Sequence, residues 1–167
     1  FMRDEHPKQT DEAALAGLRP VFQKDGSVTA GNASGINDGA AALVLAQASA
    51  AQMAGLRPRA RVLGYAHAGV RPEVMGIGPI PAVQNLLPKI GLTVEDFDVI
   101  ESNEAFAAQA LAVNKALGLD AARVNPNGGA IALGHPVGAT GAILLIKALH
   151  ELERTQSDRA LITMCIG

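Results

Sequence analysis

Apolar and polar positions follow two different regimes along this chain, and the change comes near residue 58. Beyond it, short apolar runs that suit buried strands alternate with stretches of helical period. The pattern predicts strands over 60–68, 98–101, 123–125 and 159–165, and helices over 79–90, 104–117 and 138–154. Before it, residues 1–31 are charged and broken by Pro7 and Pro20, with one helical stretch from Thr10 to Leu18 for which Thr10 is the predicted N-cap. A short strand over 40–46 and a helix over 47–54, ended by Gly55, come next, and Leu56-Arg57-Pro58 reads as a linker. Strands alternating with helices imply an α/β layer, a sheet covered by helices.

The two longest C-terminal helices predict different surroundings. In the helix from Gly138, the segment Ala142-Ile143-Leu144-Leu145-Ile146 is apolar all round, which a helix tolerates when it is covered on both sides, so it is expected between two layers. The helix from Glu104 instead gathers Phe106, Ala110, Val113 and Leu117 on one stripe and leaves Gln109 and Lys115 off it, so one side is expected to be wet.

Composition narrows the function classes. The chain has 167 residues, 49% of them hydrophobic, and a formal charge of −2, enough for one core and without the basic excess that marks a nucleic-acid binder. No apolar run reaches transmembrane length, and no signal peptide is visible. A single cysteine excludes an intrachain disulfide framework, fits a reducing compartment and leaves one thiol free for chemistry.

The candidate chemistry gathers in three places. The run from Asn125 to Gly141 holds five glycines in seventeen positions around Gly134-His135-Pro136, a turn suited to presenting an imidazole just before a long helix. Asn103-Glu104-Ala105-Phe106 follows an apolar strand, and Cys165-Ile166-Gly167 ends another. Read locally, each has a plainer alternative. Cys165 can be buried packing, His135 can cap a turn, and Asn103 can N-cap the next helix with Glu104 complementing its dipole. Ser34 can be a turn residue bonding its own backbone, and Phe106 fits the core stripe of its helix. The Gly128-Gly129 pair admits a nucleotide cradle, yet neither a Gly-Lys-Ser/Thr ending nor a G-x-G-x-x-G opening accompanies it. His6, His67 and His150 lie outside any motif, and His6 and His150 are expected on solvated surface.

Taken together, these segments resemble the thiolase family. The glycine-histidine run, the Asn-Glu-Ala-Phe segment and the Cys-x-Gly occur in the family's order, and two further matches are Gly31-Asn32-Ala33-Ser34-Gly35-Ile36-Asn37-Asp38-Gly39-Ala40-Ala41 and Met75-Gly76-Ile77-Gly78-Pro79-Ile80-Pro81. The resemblance implies a layered α/β thiolase-like fold of two similar halves, of which this chain carries the C-terminal one with a mixed sheet covered by helices. It divides the chain into the end of a loop subdomain (1–36), the last strand and helix of the N-terminal half (37–57) and a C-terminal domain (58–167). The activity implied is that of an acyl-CoA C-acyltransferase of fatty acid metabolism, an acetyl-CoA C-acetyltransferase or 3-ketoacyl-CoA thiolase working through an acyl-cysteine.

The resemblance also distributes roles. His135 would take the proton of the acylated cysteine and later donate to a thioester oxyanion. Cys165 would exchange the α-carbon proton, Asn103 would orient a water in one oxyanion hole, and the Gly167 N–H would form half of the second. Ser34, Phe22, Ala30, Met75 and Phe106 would line the pantetheine channel of coenzyme A, which binds as substrate, with no tightly held cofactor and no metal. The nucleophilic cysteine lies in the N-terminal half of family members, so the chain reads as a fragment, inactive alone, of a cytoplasmic homodimer or homotetramer. One departure is Ala142, where many thiolases place an arginine, which leaves acyl-chain length open. The alternative is a non-catalytic binding or assembly module of thiolase fold.

Overall fold

A computed structural model describes residues 2–166. Its centre is a parallel pair of strands, β1 (Val99–Ser102) and β2 (Ala160–Thr163), in the register Val99↔Ala160 to Ser102↔Thr163. On the other edge of β1, Ile100 bridges Val124 in parallel, with the Ile100 N–H donating to Arg123 O at 2.9 Å and the Asn125 N–H to Ile100 O at 2.8 Å. Helices cover both faces. All four residues of β1 are therefore buried, as a strand enclosed on two sides requires.

One face packs on α3 (Pro79–Ile90) and α4 (Ala107–Leu117), where Val83, Phe97, Ile100, Val113, Leu117 and Leu161 form the core. Gly78 and Pro79 open α3, and Gly91 closes it at φ +67°, a left-handed cap that glycine adopts without a Cβ penalty. Gly118 does the same for α4 at φ +66°. The opposite face carries α6 (Thr140–Thr155), linked to the sheet by an ion pair between Lys147 Nζ and the Oε2 of fully buried Glu101 at 2.7 Å. Lys147 also donates to Gly128 O at 2.6 Å, which ties the glycine-rich run to the same face. Small helices complete the chain: α1 (Glu12–Ala16), α2 (Ala48–Met53) and α5 (Ala130–Leu133), with 3-10 segments at Pro72–Ile77 and Val94–Asp96.

Several expectations are corrected. The cap of α1 is Asp11, whose carboxylate accepts from the Ala14 N–H at 2.7 Å, and not Thr10. The helix expected from Glu104 starts at Ala107, because Ala33 bridges Phe106 and the Ala107 N–H bonds Asn32 O at 2.9 Å, which holds the preceding backbone extended. Gln109, expected off the buried stripe, is buried with its side chain against Gly76. The helix expected from Gly138 begins at Thr140, after a turn in which Pro136 O accepts from Ala139 and Thr140. Its apolar segment meets the sheet through Leu144, while Leu145 is 41% exposed, so only one flank is covered among the described residues.

The strands expected over 40–46 and 60–68 form no ladder. An extended apolar run becomes a strand only when another strand takes up its N–H and C=O groups, and none among the described residues does. Residues 60–68 run instead along α3, where Gly64 lies against Ile90 and Leu86. In place of the expected mixed sheet, the two described strands pair in parallel, and the antiparallel contact is the isolated bridge between Ala33 and Phe106.

These unpaired runs leave Val44, Leu45, Val62 and Tyr65 more than two-thirds exposed. Apolar surface on that scale drives association. The 167-residue chain in isolation is expected to self-associate in light scattering; a monodisperse monomer would contradict the need for a covering layer.

Candidate active site

Parallel strands bring their carboxyl ends to one edge of the sheet, the usual place for a site in an α/β layer. At that edge the Asn103 N–H continues the ladder by donating to Thr163 O at 3.0 Å, and Cys165 lies two residues beyond Thr163. Asn103 and Cys165 thus leave neighbouring strands at the same end. Both are buried.

His135 reaches this edge from the glycine-rich run. Gly134 takes φ +97°, and a Cβ there would come within 2.6 Å of Asn37 Oδ1, so glycine is required on both counts. The vacated space lets Asn37 Oδ1 accept from the His135 backbone N–H at 3.0 Å, beside a parallel bridge between Ile36 and His135. The ring is held at both nitrogens: Nε2 lies 3.3 Å from Asn103 Nδ2, and Nδ1 lies 2.7 Å from Thr140 Oγ1. Burial lowers its pKa below the ordinary histidine value, since a charged imidazolium would lose water.

Asn103 is therefore a partner of His135 and not the cap of α4, a position that Phe106 occupies. Its buried Oδ1 has no partner among the described residues, which leaves an acceptor beside the imidazole. Cys165 stands apart from this pair. Burial pushes the thiol up, and no hydrogen bond joins its Sγ to His135 or Asn103 among the described residues. Gly167 lies outside the described residues.

Of the residues expected along a coenzyme channel, three converge. The segment 31–37 crosses the carboxyl edge, and the Ser34 N–H donates to Ala105 O at 3.0 Å. That sets Ser34 beside Phe106, which meets Phe22 edge to face with ring centroids 6.1 Å apart. Phe106 serves this contact instead of the core stripe. Met75 lies in the 3-10 segment whose Gly76 packs on Gln109, one turn into α4. Ala30 is exposed on the loop beside Gly31, which Leu15 and Leu18 cover. On the Pro136 side of His135, an open depression of about 340 Å³ is lined by Asn37, Asp38, Pro136, Gly138 and Ala142.

Sequence reasoning passed over several supporting groups. Glu104 does not serve the dipole of α4; its Oε2 accepts from the Ile131 N–H and its Oε1 from Asn125 Nδ2, both at 3.2 Å. The carboxylate lies directly over Gly129, where a Cβ would clash, and its charge is the opposite of what a phosphate cradle requires. Asn125, at φ +47°, pairs its side-chain amide with both the N–H and the C=O of Ser102, at 2.9 and 2.8 Å, as a further strand residue would. His6, expected on the surface, is half-buried, with Nε2 3.1 Å from Ile131 O and its ring against Gly35. His150 is exposed, as expected, and so is His67. No group of His, Cys, Asp and Glu among the described residues is arranged to hold a metal ion.

The model of the thiolase C-terminal domain matches residues 56–167, and that of the thiolase N-terminal domain matches residues 1–49. The chain belongs to the thiolase family. Among curated thiolases it is 59% identical to beta-ketothiolase BktB of Cupriavidus necator over 169 residues, covering 100% of this chain and 43% of the relative. It is 58% identical to the acetyl-CoA acetyltransferase of Escherichia coli over 168 residues, again covering 100% of this chain and 43% of the relative. The fold superposes on the crystal structure of the Bacillus anthracis acetyl-CoA acetyltransferase with a TM-score of 0.94 at 52% identity, covering 99% of this chain and 42% of that one. A human mitochondrial 3-ketoacyl-CoA thiolase solved in complex with CoA gives a TM-score of 0.89 at 44% identity, covering 98% of this chain and 42% of that one. The chain spans less than half the length of each of these thiolases.

The Glu104 and Gly129 pair supplies a test of how the thiolase glycine run is seated. Gly129→Ala is expected to cost about 1–3 kcal/mol of stability by overpacking. Adding Glu104→Ala should recover part of that loss in chemical denaturation; strictly additive effects would show that the two residues do not touch.

Proposed function

We propose that this thiolase chain is the histidine- and cysteine-bearing portion of an acyl-CoA C-acyltransferase that cleaves 3-ketoacyl-CoA with coenzyme A or condenses two acetyl-CoA. The observation that carries the reading is the contact of Asn103 with His135 at the carboxyl end of β1, with Cys165 leaving the adjoining strand at the same end. Carbon–carbon chemistry between thioesters needs a covalent acyl carrier, a base for the α-carbon proton and donors for the thioester oxygens. The chain has one cysteine, assigned here to the α-carbon proton, so in this reading the acyl carrier is a second cysteine outside these 167 residues.

In this reading the His135 imidazole accepts the proton of that cysteine as its sulfur attacks the thioester carbonyl, and the protonated ring then donates to a thioester oxyanion. A depressed pKa suits the first task, because the ring stays neutral to lower pH. Cys165 exchanges the α-carbon proton. Its raised pKa makes the thiolate the stronger base once formed. The unpartnered Oδ1 of Asn103 fits a water held next to the ring, which would serve the oxyanion with the Asn103 amide as its anchor. Gly167 would supply one N–H of the second oxyanion hole. Phe22, Ser34 and Phe106, with Met75 and Ala30 flanking, would receive the pantetheine arm. Ala142, in the wall of the open depression beside His135, would set the room available to the acyl chain. A cytoplasmic homo-oligomer suits a protein with a lone free thiol and exposed apolar runs.

The complete protein is expected to cleave acetoacetyl-CoA with free coenzyme A, and the 167-residue chain alone to show no turnover. His135→Ala and Cys165→Ala should each lower the rate at least about 100-fold while leaving the melting temperature nearly unchanged. The acid limb of kcat/KM should lie below pH 6.5, because burial lowers the His135 pKa from that value. Turnover by the chain alone, or wild-type rates in either variant, would refute the assigned roles, whereas a complete protein with no second cysteine in itself or a partner chain would favour the assembly module.

A further inference from the structure

A base that accepts a proton at one nitrogen of a neutral imidazole must carry its own proton on the other, and the surroundings decide which nitrogen that is. Around His135 the two ring contacts agree. Asn103 turns its Nδ2, a donor only, toward Nε2 at 3.3 Å, so Nε2 is the lone pair and Nδ1 carries the hydrogen. On the other side the Thr140 hydroxyl donates its single proton to Pro136 O at 3.0 Å and presents a lone pair to Nδ1 at 2.7 Å. Thr140 is buried at the first turn of α6, and its backbone N–H also bonds Pro136 O, at 2.9 Å. It is therefore held by the same turn that presents the ring.

We propose that Thr140 is a positioning residue that fixes His135 as the Nδ1–H tautomer and so keeps a lone pair on Nε2, the nitrogen that takes a proton at the carboxyl edge of the sheet. The catalytic consequence rests on the acyltransferase reading above; the seating of the ring does not. When Nε2 gains a proton, the Nδ1–H bond to Thr140 stays in place, so the ring moves a proton without turning. A hydroxyl acceptor orients the imidazolium without adding a countercharge, in contrast to a buried carboxylate in the same position. Loss of the acceptor would make the Nε2–H tautomer accessible, and a ring in that state has no lone pair at Nε2 to take the proton.

The test uses the complete protein labelled with 15N at the histidine rings. In the neutral wild-type enzyme, the His135 Nε2 resonance is expected at the position of an unprotonated ring nitrogen and Nδ1 at that of a protonated one. A wild-type spectrum with Nε2–H would overturn the proposal without reference to any variant. Thr140→Val, which keeps the shape and removes the acceptor, is expected to shift signal toward the Nε2–H form and to lower kcat about 100-fold with KM for the thioester little changed. Thr140→Ser restores the acceptor and should return kcat to within about threefold of wild type, because the hydroxyl is the group that acts. A folded Val variant with wild-type kcat, or a Ser variant as slow as Val, would contradict it. An inactive complete protein that still shows Nδ1–H would defeat the acyltransferase reading and leave the seating of the ring intact.

Discussion

The parallel pairing of β1 with β2 is the constraint on which the site depends. Because both strands run the same way, one register from Val99↔Ala160 to Ser102↔Thr163 delivers Asn103 and Cys165 to the same edge. A slip of one residue would reverse every side chain of β2 and carry Cys165 to the other face. That register is strongly specified. Ile100 and Leu161 enter the core between α3 and α4, while Glu101 meets Lys147 of α6 on the opposite face. Removing either partner of that buried pair would leave a charge or a donor stranded, so the pair penalises misregistered alternatives more than it adds net stability.

The second constraint is the meeting of three segments on one imidazole. Asn37 holds the backbone of His135, Asn103 approaches Nε2 and Thr140 approaches Nδ1, so the segment around Asn37, the end of β1 and the start of α6 each contribute one contact. Glycine is needed at Gly134 to let Asn37 in and at Gly129 to let the Glu104 carboxylate in. Two glycines of the run are thus shaped around other side chains, while Gly128 at φ +88° and Gly134 at φ +97° also take the left-handed backbone that glycine allows. Burial acts in opposite directions on the two titrating groups, lowering the pKa of His135 and raising that of Cys165, because desolvation disfavours the charged form of each. Burial thus favours the neutral form of both groups.

Much of this was legible in the chain. Period and length located α3, β1 and the body of α6, and the motif residues Asn103, His135 and Cys165 pointed to thiolase chemistry. What escaped were facts that depend on a distant partner. The runs over 40–46 and 60–68 carry strand character, but a strand exists only where another takes up its hydrogen bonds. Glu104 looked like a dipole residue of α4 because its true contacts, Ile131 and Asn125, lie more than twenty positions away. Thr140 and Asn37 carry no signature apart from the glycines beside them, since one hydroxyl or one amide in a loop has many local uses. His6 sits among charged residues, and only the folded chain brings it onto Gly35 and Ile131.

The central claim is that an imidazole, a carboxamide and a thiol from three stretches of chain surround one thioester carbonyl. A crystal structure of the complete protein with a non-hydrolysable acyl-CoA analogue tests it most directly. The account predicts the carbonyl oxygen within hydrogen-bonding reach of His135 Nε2 or of a water held by Asn103, with the α-carbon facing Cys165 Sγ. An analogue bound elsewhere, with those three groups turned away from its carbonyl, would contradict it.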